Sequence, residues 1–243
     1  MISKNINTAI ILLFVSSAIV SCEKGAAPVK QTNGVAKVSY FAKASGTGIK
    51  TAAAKSENTF AETVVVNWSS ASIYVEKISF AGKSNNLVDT TISVEKNINL
   101  FSKDALTGII ELPTGSYKDV KVKLFLRKSQ RSEMALNLRG TFVNTMGVKD
   151  SLMVGSSYPF EVNLGVTDIN IDQSNAYNVT FSFDLDKVLT GISTSALQTT
   201  RSYVGVDFKP LYIIWKGGSQ DEPFYDQVIA NWQTVASATI VKK

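Results

Sequence analysis

Apolar and polar residues alternate with a period of two over much of this chain, the rhythm of strands with one buried face. Val120, Val122, Leu124 and Leu126 interleave with Lys121, Lys123, Phe125 and Arg127. Tyr177, Val179, Phe181, Phe183 and Leu185 interleave with Asn178, Thr180, Ser182, Asp184 and Asp186. Upstream, Val35 to Ala42 predicts a first strand, and the small residues from Lys43 to Glu62 read as an extension of a tether. The run from Val64 to Phe80 predicts one or two strands, with Ile73 and Val75 on one face and Tyr74, Ile78 and Phe80 on the other. Ile92, Val94, Ile98 and Leu100 mark another strand, and Ile109 to Leu112 runs into a turn.

Met134, Leu136 and Leu138 alternate until Gly140 interrupts, and Phe142 and Val143 lead to a turn at Asn144 to Asp150. Phe160, Val162 and Leu164 alternate again, and Val188 to Ile192 suits a single helical turn. Leu211 to Trp215 is wholly apolar, as in a strand covered on both faces. The spacing of Phe224, Val228, Ile229, Trp232 and Val235 predicts a short amphipathic helix beginning near Pro223. Ala238 to Val241 predicts a closing strand. About ten strands with almost no helix make the chain mainly β, an antiparallel β-sandwich with a short C-terminal helix.

The joint of this pattern is Leu112-Pro113-Thr114-Gly115-Ser116-Tyr117. Pro113 presets a turn, Gly115 accepts one, and Tyr117 precedes the clearest amphipathic strand. The arrangement resembles the L-P-x-G-x-Y corner of transthyretin-like and immunoglobulin- or fibronectin-like sandwiches. That resemblance implies a tyrosine hydroxyl bonded back to the upstream backbone, pinning a crossing between sheets. A wider pattern runs from Asn67 to Phe80, through Ile98 to Phe101 and the corner, to Ala135 to Phe142. Over residues 63–190 it is similar to an uncharacterised family of bacterial lipoprotein β-sandwiches, a domain of unknown function. Its motifs are structural, so it implies a fold and an envelope location and no active site.

At the amino terminus, Lys4 precedes an apolar run from Ala9 to Val20, which meets Cys22. The run is too short to span a bilayer and has the order of a signal peptide. Ile19-Val20-Ser21-Cys22 resembles the bacterial lipobox. That resemblance implies cleavage after residue 21, acylation of Cys22 and anchoring of the mature chain in a membrane by its acyl chains. Residues 1–21 are then a lipoprotein signal peptide, 22–34 a flexible tether, and 35–243 the sandwich domain, with its core from about residue 63. Glu23 stands where an aspartate often directs inner-membrane retention, so the expected location is the outer membrane, with the leaflet open.

Composition narrows the chemistry. The 243 residues contain no histidine and one cysteine, which removes His-based acid–base work, the Ser-His-Asp triad and His- or Cys-rich zinc sites. Residues 22–55 carry six lysines against Glu23 alone, which accounts for the formal charge of +5. A dispersed lysine tail reads as a solvated tether. A nucleic-acid surface needs a clustered basic face with aromatics, so no nucleic-acid partner is expected.

Asp168, Asn170 and Asp172 have the D-x-N-x-D opening of a calcium loop. Gln173 stands where that loop needs glycine and Val179 where it needs glutamate, so a strand with a polar outer face competes with the metal. Asp184 and Asp186 form a carboxylate pair on one strand face, most simply a solvated one. Trp68 and Tyr74 are the candidate ligand platform, set against a core role for Trp68, while Trp215 and Trp232 read as core. No cofactor is called for. The expected function is a lipid-anchored, non-catalytic envelope module that binds a glycan or an envelope protein or plays a structural part. A fimbrial or pilus-type subunit and a glycoside-active envelope enzyme are the alternatives.

Overall fold

The computed structural model describes residues 34–45, 63–84, 87–102, 105–131, 133–165, 168–173, 175–205, 208–216 and 223–243. The expected signal peptide, Cys22 and the expected tether before Gly34 lie outside the described residues. Among the described residues thirteen strands form two sheets over one apolar core. In chain order they are β1 (Val35–Ser45), β2 (Val66–Lys83), β3 (Leu87–Asn99), β4 (Leu106–Pro113), β5 (Gly115–Leu126), β6 (Leu136–Val143) and β7 (Lys149–Ser156). They continue as β8 (Phe160–Gly165), β9 (Ile169–Ile171), β10 (Tyr177–Asp184), β11 (Ser202–Val204), β12 (Pro210–Lys216) and β13 (Ala236–Lys242). Helices α1 (Thr194–Gln198) and α2 (Tyr225–Val235) complete the fold.

The small sheet has the order β13-β10-β1-β4. β1 is internal to it, with Ala36, Val38, Tyr40 and Ala42 buried. The core therefore begins at β1, well before residue 63, because this strand fills the gap between β10 and β4. It runs parallel to β10, as β12 does to β7, so the sandwich is antiparallel except at these two pairs. Parallel neighbours need long crossovers, and alternation within a strand carries no sign of them.

The large sheet is organised on β2. One edge of β2 pairs with β3. The opposite edge takes β6 along Val66 to Ile73 and β5 along Val75 to Lys83, so β5 and β6 follow one another in a single lane. Beyond them β8 continues the lane of β7 in the same way.

β2 keeps its core face through two bulges. Trp68 is buried, then Ala71, Ile73 and Val75, then Ile78 and Phe80. The parity of the buried set changes at Ser69 and again at Glu76, where the registers shift. An extra residue in one strand turns the following side chains to the other face. Ile73, Val75, Ile78 and Phe80 therefore share one face, and the division of these residues between two faces does not hold. Gly140 lies inside β6 and does not interrupt it. A Cβ there would stand 2.7 Å from the Asn67 carbonyl, against the Ser69 bulge.

β4 and β5 are separated by Thr114 alone yet belong to different sheets. The chain crosses the sandwich at that corner. At the far end of the chain, α2 buries Tyr225, Val228, Trp232 and Val235. The Trp232 indole packs edge-on to Phe160 of β8 and stacks near Phe183 of β10, so the helix seals both sheets. Gln233 accepts the Asn163 N–H and donates to the Glu161 carbonyl, occupying the outer edge of β8. β13 then closes the small sheet against β10. In place of a helical turn at Val188 to Ile192, a 3-10 turn forms at Leu185–Lys187 and α1 follows.

Candidate functional site

Three irregularities of the large sheet fall at one level of β2, between Tyr74 and Lys77. On the first edge β3 bulges at Val94 and Glu95, and Glu95 adopts a left-handed φ of 48°. Within β2 itself Glu76 is the extra residue. On the second edge the chain leaves the sheet after β5 and returns at β6, an excursion over residues 127–135. The backbone of Tyr74 bridges its two ends, donating to the Ala135 carbonyl at 3.2 Å and accepting from the Arg127 N–H at 3.4 Å. Left-handed backbone at a residue other than glycine costs of order 1 kcal/mol.

The excursion is ordered by Ser129. Its backbone N–H donates to the Glu133 carbonyl at 2.7 Å. Its hydroxyl accepts the N–H groups of Arg131 and Glu133 at 3.1 and 2.9 Å. Arg127 pairs with Glu76 at 3.2 Å.

The result is a cleft of about 510 Å³ on the face of the sheet turned away from the core. Tyr74, Glu95, Lys96, Arg127, Arg131 and Glu133 line it, with Asn97 and Gln130 beside them. The Tyr74 hydroxyl is held above its ordinary pKa by partial removal from water. Glu95 and Glu133 add to that effect, and Arg127 and Arg131 oppose it. Guanidinium and ammonium donors, carboxylate acceptors, two amides and a phenol therefore converge in one place. Such a wall matches a ligand that both donates and accepts hydrogen bonds.

The other candidate residues scatter. Trp68 is 6% exposed, and its ring N–H donates to the Leu185 carbonyl at 3.2 Å, tying β2 to the end of β10. It borders a mostly apolar hollow of about 200 Å³ with Val64 and Leu189. Trp68 and Tyr74 lie on opposite faces of β2, so the two do not form a shared platform; the Ser69 bulge turns Trp68 inward. Trp232 is core, as its spacing predicts. Trp215 is not: Tyr212 and Ile214 of β12 face the core, and the half-buried Trp215 ring lies on the outer face over Gly155.

Asp168, Asn170 and Asp172 are strung along and around β9, which pairs with Gly115 to Tyr117 of β5. Asp168 accepts the Asp119 N–H at 3.3 Å, and Asn170 accepts the Ser116 hydroxyl at 3.2 Å. Asp172 pairs with Lys242 at 3.0 Å and accepts from Asn175. Extended backbone spreads these oxygens among separate partners, and no acidic cluster suited to a metal ion forms among the described residues. Asp184 ends β10 and pairs with Lys187 at 3.4 Å, while Asp186 sits in the 3-10 turn, so the carboxylate pair is not on one strand.

Of the residues singled out in the sequence, Tyr74 alone reaches the cleft. Arg127, Arg131, Glu133, Glu95 and Lys96 were not among them. A signal existed: Arg127 to Glu133 is an unbroken polar run between two alternating strands, longer than an ordinary hairpin loop. Comparison of the chain with family models, curated proteins and solved structures finds no match.

Proposed function

We propose that this protein is a lipid-anchored component of the cell envelope, held at the outer membrane through Cys22, and that its sandwich is a non-catalytic binding module working through the cleft at Tyr74. The stacking of three sheet irregularities at one level of β2 carries the binding part of this reading. Bulges and left-handed residues persist where surrounding structure compels them, and they re-aim side chains beside functional sites. Here nine polar residues border one space.

The envelope part rests on the lipobox resemblance. Acyl chains on Cys22 would supply the attachment. Assembly by strand addition is less favoured. β3, which pairs only with β2 among the described strands, carries Asp89, Glu95 and Lys96, and charges discourage edge pairing.

Two measurements test the reading. Cys22→Ser should move the protein out of the detergent phase and remove acyl mass from the chain; unchanged partitioning would sink the anchor. Thermal-shift screening against polar metabolites, short peptides and glycans should find a ligand that stabilises the wild type and fails to stabilise Arg131→Ala. A screen in which every hit stabilises both equally would remove the cleft from the function.

A further inference from the structure

A second hollow, of about 270 Å³, is lined by Ser70, Ser72, Asn97, Asn99 and Phe101. Asn97 borders both this hollow and the cleft at Tyr74, so the two adjoin along β2. Past the Ser69 bulge, Ala71, Ile73 and Val75 take the core face, which leaves Ser70, Ser72 and Tyr74 together on the outer one. At about 3.3 Å per strand residue, Ser70 and Tyr74 stand roughly 13 Å apart. The excursion over residues 127–135 and Phe101 lengthen the groove at its two ends.

Both hollows have polar walls, charged in the first and neutral in the second. Their walls include no aliphatic side chain larger than Ala71. Hydroxyls and amides supply donors and acceptors side by side, and each hollow holds one aromatic ring, Tyr74 in the first and Phe101 in the second. Phe101 keeps 37% of its surface exposed, and its backbone N–H donates to Asn99 Oδ1 at 3.0 Å in the turn that presents it. Charge is nearly balanced, since Glu95, Glu133 and the Arg127 partner Glu76 offset Lys96, Arg127 and Arg131.

An extended peptide in a groove is read through apolar pockets for alternate side chains, and these walls offer none. A carbohydrate presents hydroxyl edges and apolar ring faces in repeating order. The edges suit the serines, amides and guanidinium groups, and the faces suit the two rings. Resting on the reading of the Tyr74 cleft as a binding site, we infer that the groove takes a linear, uncharged oligosaccharide lying along β2, with one subsite at Tyr74, a second at Phe101, and Asn97 shared between them.

Calorimetric titration of the full-length protein with cellohexaose, xylohexaose and mannohexaose, and with glucose, xylose and mannose, tests this. One hexasaccharide should bind at least about tenfold tighter than its own monosaccharide, the equivalent of one added favourable contact set. Phe101→Ala should erase that gain. Asn97→Ala should weaken both, and Arg131→Ala should abolish binding. Equal affinity for hexasaccharide and monosaccharide, or a Phe101→Ala variant that binds as wild type does, overturns the extended groove and leaves the cleft at Tyr74 in place. No binding by any saccharide, with a peptide or other polar ligand still sensitive to Arg131→Ala, overturns the oligosaccharide and keeps the cleft. Insensitivity of every ligand to Arg131→Ala overturns both.

Discussion

Tyr117 donates its phenolic hydrogen to the Pro113 carbonyl at 2.6 Å, across the corner at Thr114 by which the chain passes from the small sheet to the large one. The ring is buried and meets Phe80 edge-on, with centroids 5.6 Å apart. Gly115, between the two partners, has a φ of 154°, and a Cβ there would stand 2.8 Å from the Ser84 hydroxyl. The corner expected from Leu112 to Tyr117 is thus present as a hydrogen bond, a packed ring and a residue with no room for a side chain.

Removing that hydroxyl leaves the Pro113 carbonyl without its partner. The bond is part-buried and Pro113 is exposed, so Tyr117→Phe should lower stability by about 0.5 to 1.5 kcal/mol, the usual net contribution of one hydrogen bond. Urea melts compare the two proteins directly, and midpoints that coincide would show that water replaces the bond.

Tyr40 is the contrasting case. Its ring stacks on Phe181 at 5.5 Å, but its buried hydroxyl has no hydrogen-bond partner among the described residues. Burial raises its pKa, as it does those of Tyr117 and Tyr225. A tyrosine whose folded pKa is raised stays protonated in the native state while the unfolded chain ionises. The stabilisation is complete below the ordinary tyrosine pKa near 10 and falls as pH climbs above it. Tyr40→Phe should be neutral or stabilising at pH 7 and should flatten the alkaline fall. Melting curves collected across that pH range check both, and a loss of stability at neutral pH would reveal a partner for the hydroxyl.

Trp68 holds the two sheets together at the end of β10. Trp68→Ala removes a large buried ring and the donor to the Leu185 carbonyl, so the expected loss is about 3 to 5 kcal/mol. A stable variant would place the ring outside the core, and calorimetric unfolding is sufficient to decide.

A Cβ at Gly140 would meet the Val66 side chain at 2.6 Å and also fixed backbone, Asn67 O at 2.7 Å and Trp68 Cα at 3.1 Å. Gly140→Ala should cost about 1 to 3 kcal/mol, as overpacking does. The same change at Gly147, whose Cβ would meet nothing within 4 Å though its φ is positive, should cost less. Paired denaturant melts of the two variants test the difference, and equal losses would mean that backbone conformation, not crowding, sets the penalty.

The sequence by itself determined the mainly β class, the corner at Tyr117, the run of buried positions from Val120 to Leu126, the inward stripe of α2 and the closing strand. Each of these is local: a period of two or of 3.6, or a turn residue at a set spacing, follows from backbone geometry within one segment. Tertiary structure decided what depends on partners distant in the chain. Alternation reports faces only between bulges, so the parity changes at Ser69 and Glu76 put Trp68 inside and left Tyr74 outside. β1 became an internal strand because β10 and β4 flank it, although its neighbours in sequence resemble a tether. The cleft showed locally only as the polar run Arg127 to Glu133, because Glu95, Tyr74 and Arg131 meet only when β3, β2 and the excursion after β5 are paired in register. Pairing register is a property of two strands together, and a single segment carries no record of it.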